Sequence, residues 1–536
     1  MISGKRSRFV GNSTSYSPRF QRDGIIVMAG LFLAVVSGML IVFLAGHYRG
    51  GVLEAFRLAG FVLLLWMIGS WIAGRLAGDI QEKRFLRRLF LVAYTARLVI
   101  ALLFLYLMPV LVKNHPYLSY GFFGDDGMAY DRIAFRIASG WHAGAGFDLL
   151  QIAIPGARGY ILLNAVLYFI FGHQVLVVRF FESFLGALVP VFTYEIARRL
   201  LPSRWARFAA LLTAFYPEQL LYSVVQLKEI SVTFAMVTFL WASFRWKEKP
   251  SIWGGLWMVI SLIYVLFTRF YYAFPLLAAS AVVLRYMPDY MPGRPTLQPR
   301  RLVSRIAIIG ALFLVSEYIL NQFFDITLFN PFSSPRIEYF LLSQQTVSDE
   351  SFYRIFSGAA GIVRLALIPA VIVYTFLNPF LLWPLISPDP VFTLLAPAIV
   401  LWYILLPFLL FSLLSRFRSP GWYPLLALIT VALLLLALSG GGAAATGRLK
   451  VSLQPFFFLF ATDGLRRFAS GDSRLRIMLL LYSGMLMAIV MLYLFVRARE
   501  VSYGAVITLA MTGAIVFIHR LLQSRLGDLG LPWRKS

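Results

Sequence analysis

Residues 89–112 read LFLVAYTARLVIALLFLYLMPVLV and carry a single charged side chain, Arg97. A helix needs about 20 apolar residues to cross a bilayer, and comparable runs recur from Ile25 to Ile518. Backbone groups in lipid must be satisfied within their own segment, which favours helices. The runs are continuous, whereas the strands of a closed barrel alternate. The pattern therefore predicts an all-α integral membrane protein, a polytopic helical bundle.

The apolar runs predict about fourteen transmembrane helices. They are placed at residues 24–45, 58–78, 89–112, 176–199, 205–222, 229–245, 252–267, 272–287, 306–322, 391–414, 422–439, 451–466, 476–496 and 503–521. Of the 536 residues, 60% are hydrophobic and none is Cys, which excludes a disulfide, a thiol nucleophile and a Cys-ligated metal. The five His are too scattered to form a His-rich metal site.

Basic residues set the orientation. The chain has 49 Lys and Arg against 24 Asp and Glu, and the basic side chains cluster between apolar runs. This is the positive-inside pattern of membrane proteins, so we expect no nucleic-acid partner. Both termini are predicted to be cytoplasmic, in a multi-pass protein of the inner membrane. The run after the basic first 23 residues is too long for the core of a cleavable signal.

One short run determines the topology. Residues Tyr160–Gly172 give about 13 apolar positions, which is short for a span. We interpret them as an external interfacial or re-entrant helix, and a short, tilted span is the alternative. Two long external segments result, 113–175 and 321–389, with external juxtamembrane helices.

An acidic pair opens the polar part of the first external segment. The sequence there is Gly124-Asp125-Asp126-Gly127, in a chain that otherwise has few acids. Adjacent carboxylates repel each other and favour a metal ion, a cation or a proton as partner. The pair is therefore a candidate site.

Three further polar features are predicted to reach the same external level. They are Lys228-Glu229, Arg269, and Arg448 with Lys450. Charged groups at membrane depth are costly and usually functional. Carboxylates can take a proton from a hydroxyl or hold a divalent metal, and Arg and Lys bind phosphate. This combination is typical of a site for a lipid phosphate that loses its headgroup.

Each feature also has a simpler explanation. Asp125 and Asp126 are residue types that begin helices, and Glu229 at a helix start complements the helix dipole. Arg269 and Arg448 are long side chains of the kind that reach the membrane interface. The hypothesis of a site rests on these features occurring together.

Residues 89–245 also carry an ordered set of short motifs. In chain order these are Asp126, Tyr130, Asp131 and Ala134; Gly144–Phe147; Pro155–Tyr160 leading to Phe171-Gly172; Ala197–Leu200; and Tyr216-Pro217, Tyr222-Ser223 and Lys228-Glu229. The set resembles the GT-C glycosyltransferases, in the bacterial branch related to protein O-mannosyltransferases and aminoarabinose transferases. The two helices predicted before residue 89 are additional to the family pattern.

The resemblance implies a GT-C-like fold and assigns roles. Asp126 would be the first catalytic acid, with Asp125 able to share or replace it, and Glu229 the acid of the second external loop. Arg448 resembles an Arg of the family that would hold the donor phosphate. Lys228, Arg269 and Lys450 are assigned the same task from their charge and their predicted level in the membrane. A divalent cation, Mg²⁺ or Mn²⁺, on Asp126 and Glu229 is an option that the resemblance leaves open.

The predicted organisation has three parts. Residues 1–88 hold two extra helices, 89–287 a GT-C-like catalytic module, and 288–536 a C-terminal module. The predicted function is transfer of a sugar from a polyprenyl-phosphate lipid to a glycan, lipid or protein acceptor on the external (periplasmic) face. The predicted mechanism is inverting, and membrane lipids are the predicted surroundings. The alternatives are a lipid-linked sugar transporter or flippase, a glycan ligase or polymerase, and a non-catalytic scaffold.

Overall fold

The computed structural model describes residues 52–146, 152, 154–286, 299–324, 368–369, 372–373, 375–377, 390–438 and 443–498. Over these residues the chain is helical and has no strand. The predicted all-α class is therefore confirmed for the described part. The predicted helices 24–45 and 503–521, and most of the external segment 321–389, lie outside it.

Fifteen α-helices make up the described residues. They are α1 Val52–Leu76, α2 Ile80–Leu111, α3 Asp125–His142, α4 Arg158–Phe171, α5 Val175–Ala197, α6 Ser203–Phe215, α7 Pro217–Tyr222, α8 Glu229–Glu248, α9 Ile252–Arg269, α10 Ala273–Tyr286, α11 Pro299–Phe324, α12 Pro390–Arg416, α13 Tyr423–Leu438, α14 Ala443–Ala469 and α15 Ser473–Ala498. Short 3₁₀ turns join some of them, among them Pro155–Ala157 before α4 and Phe270–Tyr272 between α9 and α10.

Five helical segments of the described chain are long and apolar enough to cross a membrane. They are Phe56–Leu76, Ile80–Leu111, Val175–Ala197, Ile252–Arg285 and Thr393–Arg416. The chain is thus a multi-pass membrane protein. The helix α4, at the short run 160–172, has 14 residues, and whether it spans stays a prediction.

The chain forms two compact units, residues 1–67 and 68–536. The first is described only over the beginning of α1. The second contains α2 to α15 and every candidate site residue. The three-part division at residues 88 and 288 stays a prediction.

Two predicted helix boundaries were wrong in ways that matter for the site. The single helix 205–222 is broken into α6 and α7, because Tyr216 is extended and Pro217 begins the next helix. The helix predicted at 451–466 begins at Ala443, so Arg448 and Lys450 lie on α14 rather than before it. The acidic pair is the first turn of a helix, α3, which agrees with the simpler explanation that these residue types begin helices.

Helix α14 is central to the packing of the second unit. It contacts α5, α6, α8 and α12. Helix α8 in turn packs on α5 and α9. This arrangement brings the start of α8 beside the first turns of α14. The polar residues at those two positions are 219 residues apart in the chain.

Gly464 on α14 packs closely against the backbone of α12. A Cβ at this position would lie 2.2 Å from the carbonyl oxygen of Phe408. Gly464→Ala therefore has to separate two packed backbones, and we expect it to destabilise the fold by about 1–3 kcal/mol. Thermal unfolding in detergent measures the loss. Gly310→Ala on α11 is the control, because no heavy atom lies within 4 Å of that Cβ, and an equal loss in both variants would contradict the explanation.

Buried acids pair with the basic clusters at the bundle end predicted to face the cytoplasm. Asp463 is fully buried and accepts from Arg416 at 2.7 Å and from Arg466 at 2.9 Å. Glu195 on α5 is 2% exposed and lies 3.1 Å from Arg198. These pairs compensate charges that burial would otherwise make costly.

Candidate active site

The first turn of α3 separates the two acids of the pair. The Asp125 carboxylate accepts from the backbone N–H of Asp126 at 2.8 Å and is exposed. The Asp126 side chain is 39% exposed and points to Arg448. Both lie at a helix N-terminus, where the dipole stabilises negative charge. The helix geometry thus makes Asp126 the member of the pair that faces the other site residues.

Arg448 joins the two acids that the sequence singled out. Its Nη1 donates to Asp126 Oδ2 at 2.6 Å, and its Nε donates to Glu229 Oε1 at 3.1 Å. One guanidinium group therefore contacts both carboxylates, from partners 322 and 219 residues away in the chain. The predicted convergence of Asp126, Glu229 and Arg448 is present in the structure.

Glu229 is the most buried member of the cluster. It begins α8 and its side chain has no exposed area. Arg269, at the end of α9, donates from Nη2 to Glu229 Oε1 at 2.5 Å and from Nη1 to the Tyr271 hydroxyl at 2.5 Å. Glu229 Oε2 is buried and accepts no hydrogen bond from the described residues. A buried acceptor without a donor is unfavourable until a ligand or water supplies one.

Lys228 lies in the turn before α8, next to Glu229. Its Nζ donates to the carbonyl of Gly156 at 2.7 Å and lies 5.6 Å from the ring centre of Tyr130. Burial, and then the positive charge of Arg269, lowers the pKa of Lys228 to about 7. Lys228 is therefore an amine that changes charge near neutral pH, held at the edge of the cluster.

Lys450, two residues after Arg448 on α14, contacts a different set of groups. Its Nζ is 4.2 Å from the ring centre of Trp402, and the side chain lines a small cavity with Glu218 and Tyr216. Its predicted role at the donor phosphate stays a prediction.

The donor set does not match a bridging divalent metal. Within the described ranges, no group of three His, Cys, Asp or Glu side chains comes together. Asp126 and Glu229 are both carboxylates, but the Arg448 guanidinium takes the position between them. A metal bridging these oxygens would have to displace a charge-assisted pair. We therefore derive no step through a metal, and dependence on Mg²⁺ or Mn²⁺ stays a proposal to be tested.

Comparison with known proteins finds little sequence similarity and some structural similarity. No protein-family model matches the chain, and no curated protein matches it. The structure is similar to that of ArnT from Cupriavidus metallidurans bound to undecaprenyl phosphate, at 14% identity and a TM-score of 0.39, over 80% of this chain and 72% of that one. The apo state of the same protein matches at 14% identity and a TM-score of 0.40, over 80% and 71%. Scores this low describe a resemblance in the arrangement of helices and assign no activity to this chain.

Sequence reasoning missed Tyr271 as a partner of the site. The signal was available, because a hydroxyl two residues after Arg269 in a tight turn can reach back to the guanidinium. Asp131 belongs to the first of the short motifs, but the motif assigned it no role. Gln226 is a polar residue in the apolar run before Lys228, and the sequence analysis did not identify it as part of the site.

Proposed function

We propose that this chain is a membrane glycosyltransferase that moves a sugar from a polyprenyl-phosphate donor to an acceptor on the external face. One observation carries the proposal: the Arg448 guanidinium contacts Asp126 and Glu229 together, and Arg269 contacts the same Glu229 oxygen. Two acids and two guanidinium groups from four separate segments thus form one cluster, with Lys228 beside it. This set supplies a base and phosphate-binding cations within one cluster.

The proposed reaction is a single displacement with inversion. Asp126 Oδ1, the oxygen that Arg448 does not contact, takes the proton of the acceptor hydroxyl. The acceptor oxygen attacks the anomeric carbon, and the bond from that carbon to the phosphate oxygen breaks. The polyprenyl phosphate then leaves with one additional negative charge.

The cations stabilise that leaving charge. Arg269, Arg448 and Lys228 are fixed before the reaction, so they stabilise the developing charge without reorganising in the transition state. Glu229 holds the two guanidinium groups in place through its Oε1. Its second oxygen, which has no donor among the described residues, is available to a hydroxyl of the sugar or the acceptor.

Purified protein in liposomes tests the proposal directly. A synthetic short-chain polyprenyl-phosphate sugar is added with an envelope glycan, lipid or peptide fraction, and formation of sugar-modified product and free polyprenyl phosphate is measured. Movement of intact donor across the bilayer without product would instead indicate a flippase. Mass spectrometry of envelope glycans from a deletion strain identifies the acceptor, and chelator in the same assay tests metal dependence.

The pH dependence of donor binding tests the role of Lys228. Below pH 7 the amine is charged and attracts the donor phosphodiester, whose own charge does not change in this range. Above pH 7 the amine loses its charge, so we expect the donor KM to rise by up to about tenfold per pH unit. Steady-state kinetics from pH 6 to 9 measure this.

Two variants control the pH experiment. Lys228→Arg stays charged throughout and should keep the donor KM flat, while Lys228→Met should give a high and equally flat KM. A rise in KM that persists unchanged in Lys228→Met would assign the titration to another group.

A further inference from the structure

Asp131 lies five residues after Asp126 on α3, and so roughly 140° further round the helix. Its side chain is 14% exposed and contacts a different set of groups from Asp126. Oδ1 accepts from the Tyr168 hydroxyl and from Gln226 Nε2, the latter at 3.3 Å. Oδ2 lies 3.1 Å from His173 Nε2. Two segments distant in sequence, residues 168–173 and the turn that holds Gln226, thus converge on one carboxylate.

The surroundings of Asp131 keep it ionised. Burial acts to raise its pKa, but the hydrogen bonds from His173 and Tyr168 outweigh burial and hold the pKa below its usual range. A carboxylate that already accepts from these groups has little capacity left to take a proton from a substrate. Its contacts indicate a role in holding structure in place.

Gln226 connects Asp131 to the turn that carries Lys228 and Glu229. It is fully buried, and its Nε2 also donates to the Tyr168 hydroxyl at 2.9 Å. Its φ is 54°, the only positive value at a non-glycine residue in the described chain. Such a backbone costs of order 1–3 kcal/mol and persists only where surrounding contacts hold it. The hydrogen bonds of the Gln226 amide to Asp131 and Tyr168 stabilise this backbone conformation, two residues before Lys228.

Gly127 shows how closely the two parts of the site approach each other. A Cβ on Gly127, in the first turn of α3, would lie 3.4 Å from the carbonyl oxygen of Gln226. The α3 turn that carries Asp126 therefore packs directly against the turn before α8. The position of Gln226 is therefore in direct contact with the turn that carries Asp126.

We propose that Asp131 is a positioning residue, which fixes α3 to the 223–228 turn through Gln226 and thereby sets the separation of Asp126 from Glu229. The proposal rests on the transferase function proposed above. Its physical basis is that a displacement of about 1 Å in a reacting group can cost on the order of 10²-fold in rate. Asp131 acts through other residues and does not contact the reacting atoms.

Two substitutions at one position test the proposal. Asp131→Ala removes every acceptor, and we expect kcat to fall by about 10–100-fold with the donor KM changed less than about threefold. Asp131→Asn keeps an acceptor oxygen for Tyr168 and Gln226 without the charge, and should keep kcat within about fivefold. Hydrogen exchange should rise at residues 124–131 and 223–230 in the Ala variant and stay near wild type in the Asn variant.

Several results would overturn the proposal. Wild-type kcat and exchange in Asp131→Ala would remove the positioning role. An Asn variant as inactive as Asp126→Asn would make the charge itself catalytic. If Asp131→Ala does not fold, Gln226→Gly removes the same amide contact while relieving the backbone, and a normal kcat there would overturn the proposal. Hydrogen exchange does not depend on turnover. A wild-type protein that transfers no sugar would refute the proposed function. The exchange data would still decide whether the Asp131 contact holds the two turns together.

Discussion

Asp126→Asn is expected to abolish sugar transfer. The substitution keeps the size of the side chain and a hydrogen-bond acceptor for Arg448, but removes the carboxylate that takes the acceptor proton. A positioned general base contributes about 10²–10⁴-fold, and the loss of its charge also weakens the contact to Arg448, which is 2.6 Å long. Transfer from the synthetic donor, followed by product mass spectrometry, measures the effect.

Asp125→Asn is the matched variant for this experiment. Asp125 is exposed, and its carboxylate accepts from the backbone N–H of the next residue. We expect Asp125→Asn to keep transfer within about tenfold, since one such hydrogen bond is worth about 1 kcal/mol. Full activity in both single variants and in the double variant would refute the assignment of the base to this turn.

Glu229→Gln is expected to cause the second largest effect, on stability and on transfer together. The buried carboxylate compensates Arg269 and Arg448. Removing one partner of a buried ion pair costs about 3–5 kcal/mol because the other charges remain buried. Both guanidinium groups then lose their fixed positions. We expect kcat to fall by about 10²–10³-fold, the size of losing one preorganised electrostatic contact.

Glu195→Gln separates these two consequences. Glu195 is also a buried acid paired with Arg, at 3.1 Å, but it lies at the other end of α5 from the candidate site. Its variant should unfold at a lower temperature in detergent and keep a normal kcat per folded protein. If Glu229→Gln shows only the same loss of stability, Glu229 has a structural role alone.

Residue type in the sequence predicted which charged side chains come together better than it predicted the neighbours of each one. Asp126, Glu229, Arg269 and Arg448 were identifiable because charge is expensive in an apolar chain, and the structure brings these four together. Lys450 has the same chemistry and was grouped with them, but it lies beside Trp402 and Glu218. Because the predicted helix began at residue 451 and α14 begins at Ala443, hydropathy placed Lys450 before the helix and gave no indication of which helix face it occupies.

The positions of helix ends explain the remaining differences. Pro217 signalled a break that the apolar run 205–222 concealed. The acidic pair proved to be a helix start, so its two side chains point in different directions from one helix turn. Gln226 has no sequence pattern that names its partner, since it meets Asp131 from 95 residues away.

The sequence by itself determined that this chain is a helical, multi-pass membrane protein and which few charged residues it retains amid apolar ones, because the cost of polar groups in lipid acts on each residue separately. Only the tertiary structure decided that one guanidinium joins two acids and that Asp126, not its neighbour, faces it. Those facts depend on the packing of α3, α8 and α14, which are far apart in the chain, and packing of that kind is a property of the whole bundle.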